Sequence, residues 1–149
     1  HFEARRQRQM CIRDRLIAAA LGGSVERSKE GWHVGIHSAM LKQNSVLFGS
    51  AEKEFDLIYN HQDQVMTMPR DSILHASCRN CPIAMLSIGN HILSFQGHIE
   101  FEIAYAKDLL NMRRSILGED IYLNAYESLN AKSMDTRVID WILKFLIKD

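Results

Sequence analysis

The apolar run Ile92-Leu93-Ser94-Phe95, followed at once by Gln96-Gly97-His98-Ile99-Glu100, constrains this chain more than any other segment. The run reads as a buried strand. The residues after it, Phe101 to Arg113, read as an amphipathic helix, with Phe101, Ala104, Tyr105, Ala106, Leu109, Leu110 and Met112 on one broad face at helical spacing. A strand that hands over to a helix belongs in an α/β fold, and open α/β sheets hold their ligands at the carboxyl ends of the strands. A histidine and a glutamate two residues apart can both project from that edge. The glutamate can hold one ring nitrogen of the histidine, leaving the other to take a proton from a nucleophile.

The rest of the composition narrows the class. A chain of 149 residues, 46% of them hydrophobic, has room for one domain with a sizeable core. Its formal net charge of zero argues against a nucleic-acid partner, which would call for a basic excess. No apolar run approaches the length of a membrane span, and the basic N-terminus is not followed by the apolar stretch of a signal peptide. An odd number of cysteines, three, without disulfide-framework spacing suits a reducing, cytoplasmic compartment.

Taken in order, residues 1–15 stand apart: they carry five arginines (Arg5, Arg6, Arg8, Arg13 and Arg15) and no hydrophobic period. They read either as a disordered basic tail or as foreign sequence, because RRQRQMCIRDR resembles translated sequencing-adapter DNA. Residues 16–149 form the expected domain. Leu16 to Leu21 is a helical run stopped by Gly22-Gly23. Strands are expected at Ser24–Arg27, around Trp32–Val34, at Phe55–Asn60, Ile73–Ser77 and Ile83–Ile88, with a two-residue Gly89-Asn90 hairpin turn leading into Ile92–Phe95. Asn60 to Val65, taken alone, reads as a polar turn closing a hairpin. Three helices follow: one broken at Gly118, one over Ile121–Leu129, and one over Thr136–Ile147 capped by Asp135, with Val138, Trp141, Ile142, Phe145 and Leu146 as its apolar stripe. His33 and His37 read as ordinary strand histidines and not as a metal pair. Cys78-Arg79-Asn80-Cys81-Pro82 has metal or redox spacing. It lacks a second ligand pair and leads into a strand where a thioredoxin-type motif would open a helix, so Cys81 is expected to be structural.

The segment Gly97-His98-Ile99-Glu100 resembles the histidine–glutamate motif of the class I glutamine amidotransferases, with Ile99 where that family usually has proline. Ala19-Ala20-Leu21-Gly22-Gly23 is similar to the end of the family's nucleophile helix, and Tyr59-Asn60-His61-Gln62-Asp63-Gln64-Val65 to the segment whose backbone lies beside bound glutamine. The resemblance runs from about Leu16 to the C-terminus and is closest to stand-alone, GMP-synthase-like members. It implies a flavodoxin-like three-layer α/β fold, of which this chain would be the C-terminal portion, with a small antiparallel β layer and C-terminal helices. It implies a Cys-His-Glu triad that hydrolyses the side-chain amide of glutamine and releases ammonia to a synthetase partner, with no cofactor and no metal.

Carried over residue by residue, the triad falls on Cys11, His98 and Glu100, and the substrate-binding segment on Asn60, His61 and Gln62. Around Cys11 the family has glycine and glutamine where this chain has Arg13 and Arg15. Arginine suits the tight strand-to-helix elbow of a nucleophile poorly. The oxyanion hole would take one N–H from Ile12 and the other from a glycine loop that the family carries further upstream. As written, the chain is therefore expected to have little activity. Two alternatives stay open: a non-catalytic relative that keeps the fold and binds a partner or a small γ-glutamyl ligand, and a γ-glutamyl hydrolase or peptidase on the same fold.

Overall fold

Alternation of apolar and polar residues builds most of the sheet. In Glu54–His61, residues Phe55, Leu57 and Tyr59 point to one side, and Ile58 and Asn60 to the other. The computed structural model describes residues 15–42 and 53–147. Helix α1 covers 15–20. It is followed by β1 (Ser24–Arg27), β2 (His33–Leu41), β3 (Glu54–His61), β4 (Asp63–Thr67), β5 (Ser72–Cys78), β6 (Cys81–Ile88), β7 (Ile92–Phe95), α2 (Ile103–Leu117), α3 (Glu119–Ala131) and α4 (Arg137–Leu146). The architecture is mixed α/β, with an antiparallel sheet and C-terminal helices. None of the described helices is long and apolar enough to cross a membrane.

Five strands form one sheet in the order β3-β2-β5-β6-β7, and β1 pairs with β4 in a separate ribbon. All of these pairings are antiparallel. The chain changes sheets at Gln62: Asn60-His61 ends β3, and Asp63 starts β4, which pairs with β1 and not with β3. Asn60 to Val65 is thus a sheet-to-sheet corner, where local sequence suggests a hairpin turn. The β6–β7 loop is one residue longer than the Gly89-Asn90 reading, because Ile88 pairs with Ile92 and leaves Gly89, Asn90 and His91 in the turn.

Closure of this sheet places the histidine. β3 and β7 are its two edges, yet the chain leaving β7 makes an isolated bridge from His98 back to Ile58 in β3. The His98 N–H donates to the Ile58 carbonyl at 2.6 Å, and the Gln96 N–H donates to Ala84 O at 3.0 Å. The sheet is therefore curled, with residues 96–98 stitching its edges together. Inside the curl Phe55, Leu57, Tyr59, Met85 and Phe95 pack with Val138 and Trp141 of α4. Outside it Val34, Ile36 and Ile58 pack beneath Ala106, Leu110 and Leu117 of α2 and Tyr122, Ala125 and Leu129 of α3. A third cluster joins Ala18 of α1 to Val65, Ile83 and Leu86.

Close approach of α3 to β2 depends on Gly35, whose φ is +93°, and a Cβ there would meet Ser128 Oγ at 2.5 Å and Ala125 Cα at 3.0 Å. The same Ser128 hydroxyl accepts from the Ile36 N–H at 2.9 Å, so backbone and helix are locked where the side chain is missing. The helical stripes hold in part. Met112 and Ala104 of α2 are exposed, as is Leu146 of α4, because each helix buries a narrower face than the apolar residues alone suggest. Asp135 accepts from the Arg137 N–H at 3.0 Å, satisfying one of the free donors at the start of α4.

Candidate active site

Local sequence brings His98 and Glu100 together. After β7 the chain makes two bends, and His98 Nδ1 lies 2.7 Å from Glu100 Oε1. The imidazole stacks on Phe101 with centroids 3.8 Å apart and planes 9° apart, and His98 is only 4% exposed. Ring orientation is thus set from two sides, by the carboxylate and by the aromatic face. Burial alone would raise the Glu100 carboxyl, but the hydrogen bond with His98, the attraction of its ring and the backbone N–H groups of Ile99 and Glu100 together outweigh that and hold it below the usual carboxylate range. An ionised Glu100 at neutral pH fixes the tautomer with the proton on Nδ1, leaving Nε2 as the basic nitrogen.

Two neighbours that the motif reading passed over hold this bend. Gln96 is buried; its amide oxygen accepts from the Val65 N–H at 3.1 Å, and its amide nitrogen donates to Ile83 O at 2.6 Å. It ties β4 and β6 to the turn that carries His98. Gly97 presses on β3, where a Cβ would lie 2.8 Å from Leu57 Cβ and 3.1 Å from Tyr59 Cζ. Both side chains are fully buried, so neither can yield. Gly97→Ala is expected to cost about 1–3 kcal/mol and to displace His98, checked by thermal unfolding with the His98 ring resonances followed by NMR. Wild-type stability together with unshifted resonances would contradict the close approach. The sequence signal for both residues was their place between strand and histidine.

A cavity of about 290 Å³ opens beside the pair, lined among others by Arg15, Phe95, His98, Glu100, Ile142 and Phe145. It joins the turn after β7 to α4 and to the start of α1, and Arg15 brings a guanidinium to its wall. Cys11 and Ile12 lie outside the described residues.

The segment 60–62 divides. Asn60 Oδ1 accepts from Arg113 Nη1 of α2 at 2.6 Å, on the outer face of β3. Gln62 Oε1 accepts from Arg27 Nη2 at 2.6 Å. His61 points to the inner face, is 2% exposed, and neither of its ring nitrogens has a hydrogen-bond partner among the described residues. Burial pushes its pKa down to about 2, and Arg15, His33, His98 and His37 add repulsion against a proton. A neutral, buried imidazole with both nitrogens unsatisfied is costly unless something binds it. Asn60 and His61 thus project to opposite faces, and His61 feels the charges of Arg15 and His98 without lining the cavity. Among the described residues no group of three His, Cys, Asp or Glu side chains is placed to hold a metal ion.

The family model "Glutamine amidotransferase class-I" matches residues 10–112. Gamma-glutamyl peptidase 3 of Arabidopsis thaliana is 35% identical over 98 residues, which cover 62% of this chain and 39% of the relative. Gamma-glutamyl peptidase 2 of the same plant is 23% identical over 144 residues, covering 93% of this chain and 58% of the relative. The chain thus spans between about 39% and 58% of the length of these curated relatives. A crystal structure of a glutamine amidotransferase from Thermotoga maritima superposes with a TM-score of 0.65 at 18% identity, covering 90% of this chain and 57% of that one, a likeness of fold.

Proposed function

The chain belongs to the class I glutamine amidotransferase family, and on that premise we propose that His98 and Glu100 are the acid–base pair of a cysteine-dependent hydrolysis of a γ-glutamyl amide, with the side-chain amide of glutamine as the first candidate substrate. The observation that carries the reading is the 2.7 Å contact between a buried His98 and Glu100 at the wall of a cavity. Nε2 takes the proton from the thiol as sulfur attacks the amide carbonyl, and returns it to the leaving ammonia. Glu100 stabilises the imidazolium between these steps. Water then hydrolyses the γ-glutamyl thioester, with Nε2 again as base. Cys11 is the proposed nucleophile, and of the 60–62 segment we assign to the substrate side His61, which is buried behind the cavity wall and feels the charges of Arg15 and His98. Ammonia would pass to a synthetase partner in a reducing, cytoplasmic setting.

Gamma-glutamyl peptides are the second candidate substrate, supported by the peptidases among the relatives. Arg15 at the cavity wall supports a third reading, in which the site only binds a γ-glutamyl carboxylate. Parallel assays separate them: ammonia release from glutamine, amine release from a γ-glutamyl dipeptide, and calorimetric binding of both. The expected result is little ammonia release from the chain as it stands, raised when Arg13→Gly and Arg15→Gln restore the family's elbow residues. Preferential dipeptide cleavage would transfer the reading to a peptidase, and binding without turnover in either form would sink the hydrolytic one.

A further inference from the structure

The cysteine pair at the β5–β6 turn has a geometry that the hydrolytic site does not use. Cys78 ends β5, Cys81 begins β6, and the two are register partners across the turn formed by Arg79 and Asn80. Partners in an antiparallel ladder have Cα atoms about 4.5–5.5 Å apart. That lies inside the range of about 4.4–6.8 Å over which a disulfide closes without backbone movement. Both thiols are free.

Their exposures differ in a useful way. Cys81 is fully buried, whereas Cys78 is half-buried and lines a cleft of about 320 Å³ with Glu30, His33, His37, Arg79 and Asn80. The cleft exists because β2 and β5 pair only at Met40 and Leu41, so the strands part toward His33. On its inner side Cys78 Sγ lies 3.5 Å from His33 Nε2. A thiol next to an imidazole, open to a cleft that carries an arginine, is the setting in which cysteine reacts as thiolate. The Cys81 thiol's hydrogen bond and the His33 contact together hold Cys78 below the usual thiol range against the effect of burial, while Cys81 is pushed up.

We propose that Cys78 and Cys81 form a second reactive site, a dithiol that reduces a low-molecular-weight disulfide, with Cys78 as attacking and Cys81 as resolving cysteine. In the first step Cys78 gives its proton to His33, its sulfur bonds to one sulfur of the small disulfide, the S–S bond breaks, and the small thiolate that leaves takes the proton back from His33. In the second, Cys81 gives its proton to His33 or water and attacks Cys78 Sγ, expelling the second small thiolate. Two protein thiols are oxidised to one disulfide, and the small disulfide is reduced to two thiols. Glu30 and Arg79 on the same cleft would meet the amine and carboxylate groups of an amino-acid-derived disulfide.

The test uses the folded chain carrying Cys11→Ser, treated with glutathione disulfide and read by intact mass and peptide mapping. A loss of two hydrogens with a Cys78–Cys81 cross-link is expected. Adding Cys81→Ser should arrest the reaction at one glutathione on Cys78, Cys78→Ser should take up none, and His33→Gln should slow the first step about tenfold. Modification of Cys81 before Cys78, or no reaction in the folded chain while the urea-unfolded chain reacts at both, would overturn the proposal. If Cys11→Ser fails to fold, the same peptides mapped in the unsubstituted chain decide the question, because Cys11 lies on a different peptide.

Discussion

His98→Asn is expected to lower γ-glutamyl amide hydrolysis by about two to four orders of magnitude, in any form of the protein that turns over, while the fold survives. Asparagine can still reach toward Glu100, but it cannot accept and return a proton near neutral pH. The main-chain bond from residue 98 to Ile58 O, which closes the sheet, does not depend on the side chain. What the substitution removes is therefore the proposed proton shuttle, with part of the stacking on Phe101. The comparison to make is kcat and KM for wild type and variant, with circular dichroism as the fold control. A fall in kcat with KM nearly unchanged is the signature of a group that acts in the transition state. Unchanged kcat would remove His98 from the mechanism.

A second large effect concerns α4. Trp141 is 4% exposed and meets Phe55 of β3 edge-on, with ring centroids 5.2 Å apart. Val138 and Phe145, one turn to either side, are equally enclosed. Trp141→Ala leaves a large cavity inside the curl of the sheet, and substitutions of this kind cost about 3–5 kcal/mol. Against a typical total of about 5–15 kcal/mol that is a substantial share of the stability. In a urea titration the midpoint should fall with the slope little changed. Because Ile142 and Phe145 of the same helix line the cavity beside His98, catalysis should fall with it, at temperatures where the fold still holds. A stability change under about 1 kcal/mol would mean that α4 is not docked as described.

The element types were legible because they follow from local period. The alternation in Phe55–Asn60, the apolar runs at Ile83–Ile88 and Ile92–Phe95, and the helical spacing after Phe101 each specify an element with no knowledge of neighbours. The pairing of His98 with Glu100 was legible for a similar reason: two residues separated by one can meet within a single bend. Gln62 shows where local reading stops. A polar turn and a change of sheet look alike in sequence, and only the partner of β4, the distant β1, tells them apart. Nor could Cys78-Arg79-Asn80-Cys81 be resolved by spacing. The same four residues suit a helix, a metal site or a hairpin, and the ladder partners plus the approach of His33 decide for the hairpin.

By itself, then, the sequence determined the family, the α/β character, and the His98–Glu100 dyad, since these rest on short-range pattern and on chemistry carried by neighbouring residues. The tertiary structure alone decided that the sheet curls until its edges meet at His98, that Asn60 and His61 face opposite sides, and that β2 and β5 part to expose Cys78. Those outcomes depend on contacts between residues far apart in the chain. Their energies come from packing whole faces against one another, which no single stretch of sequence contains.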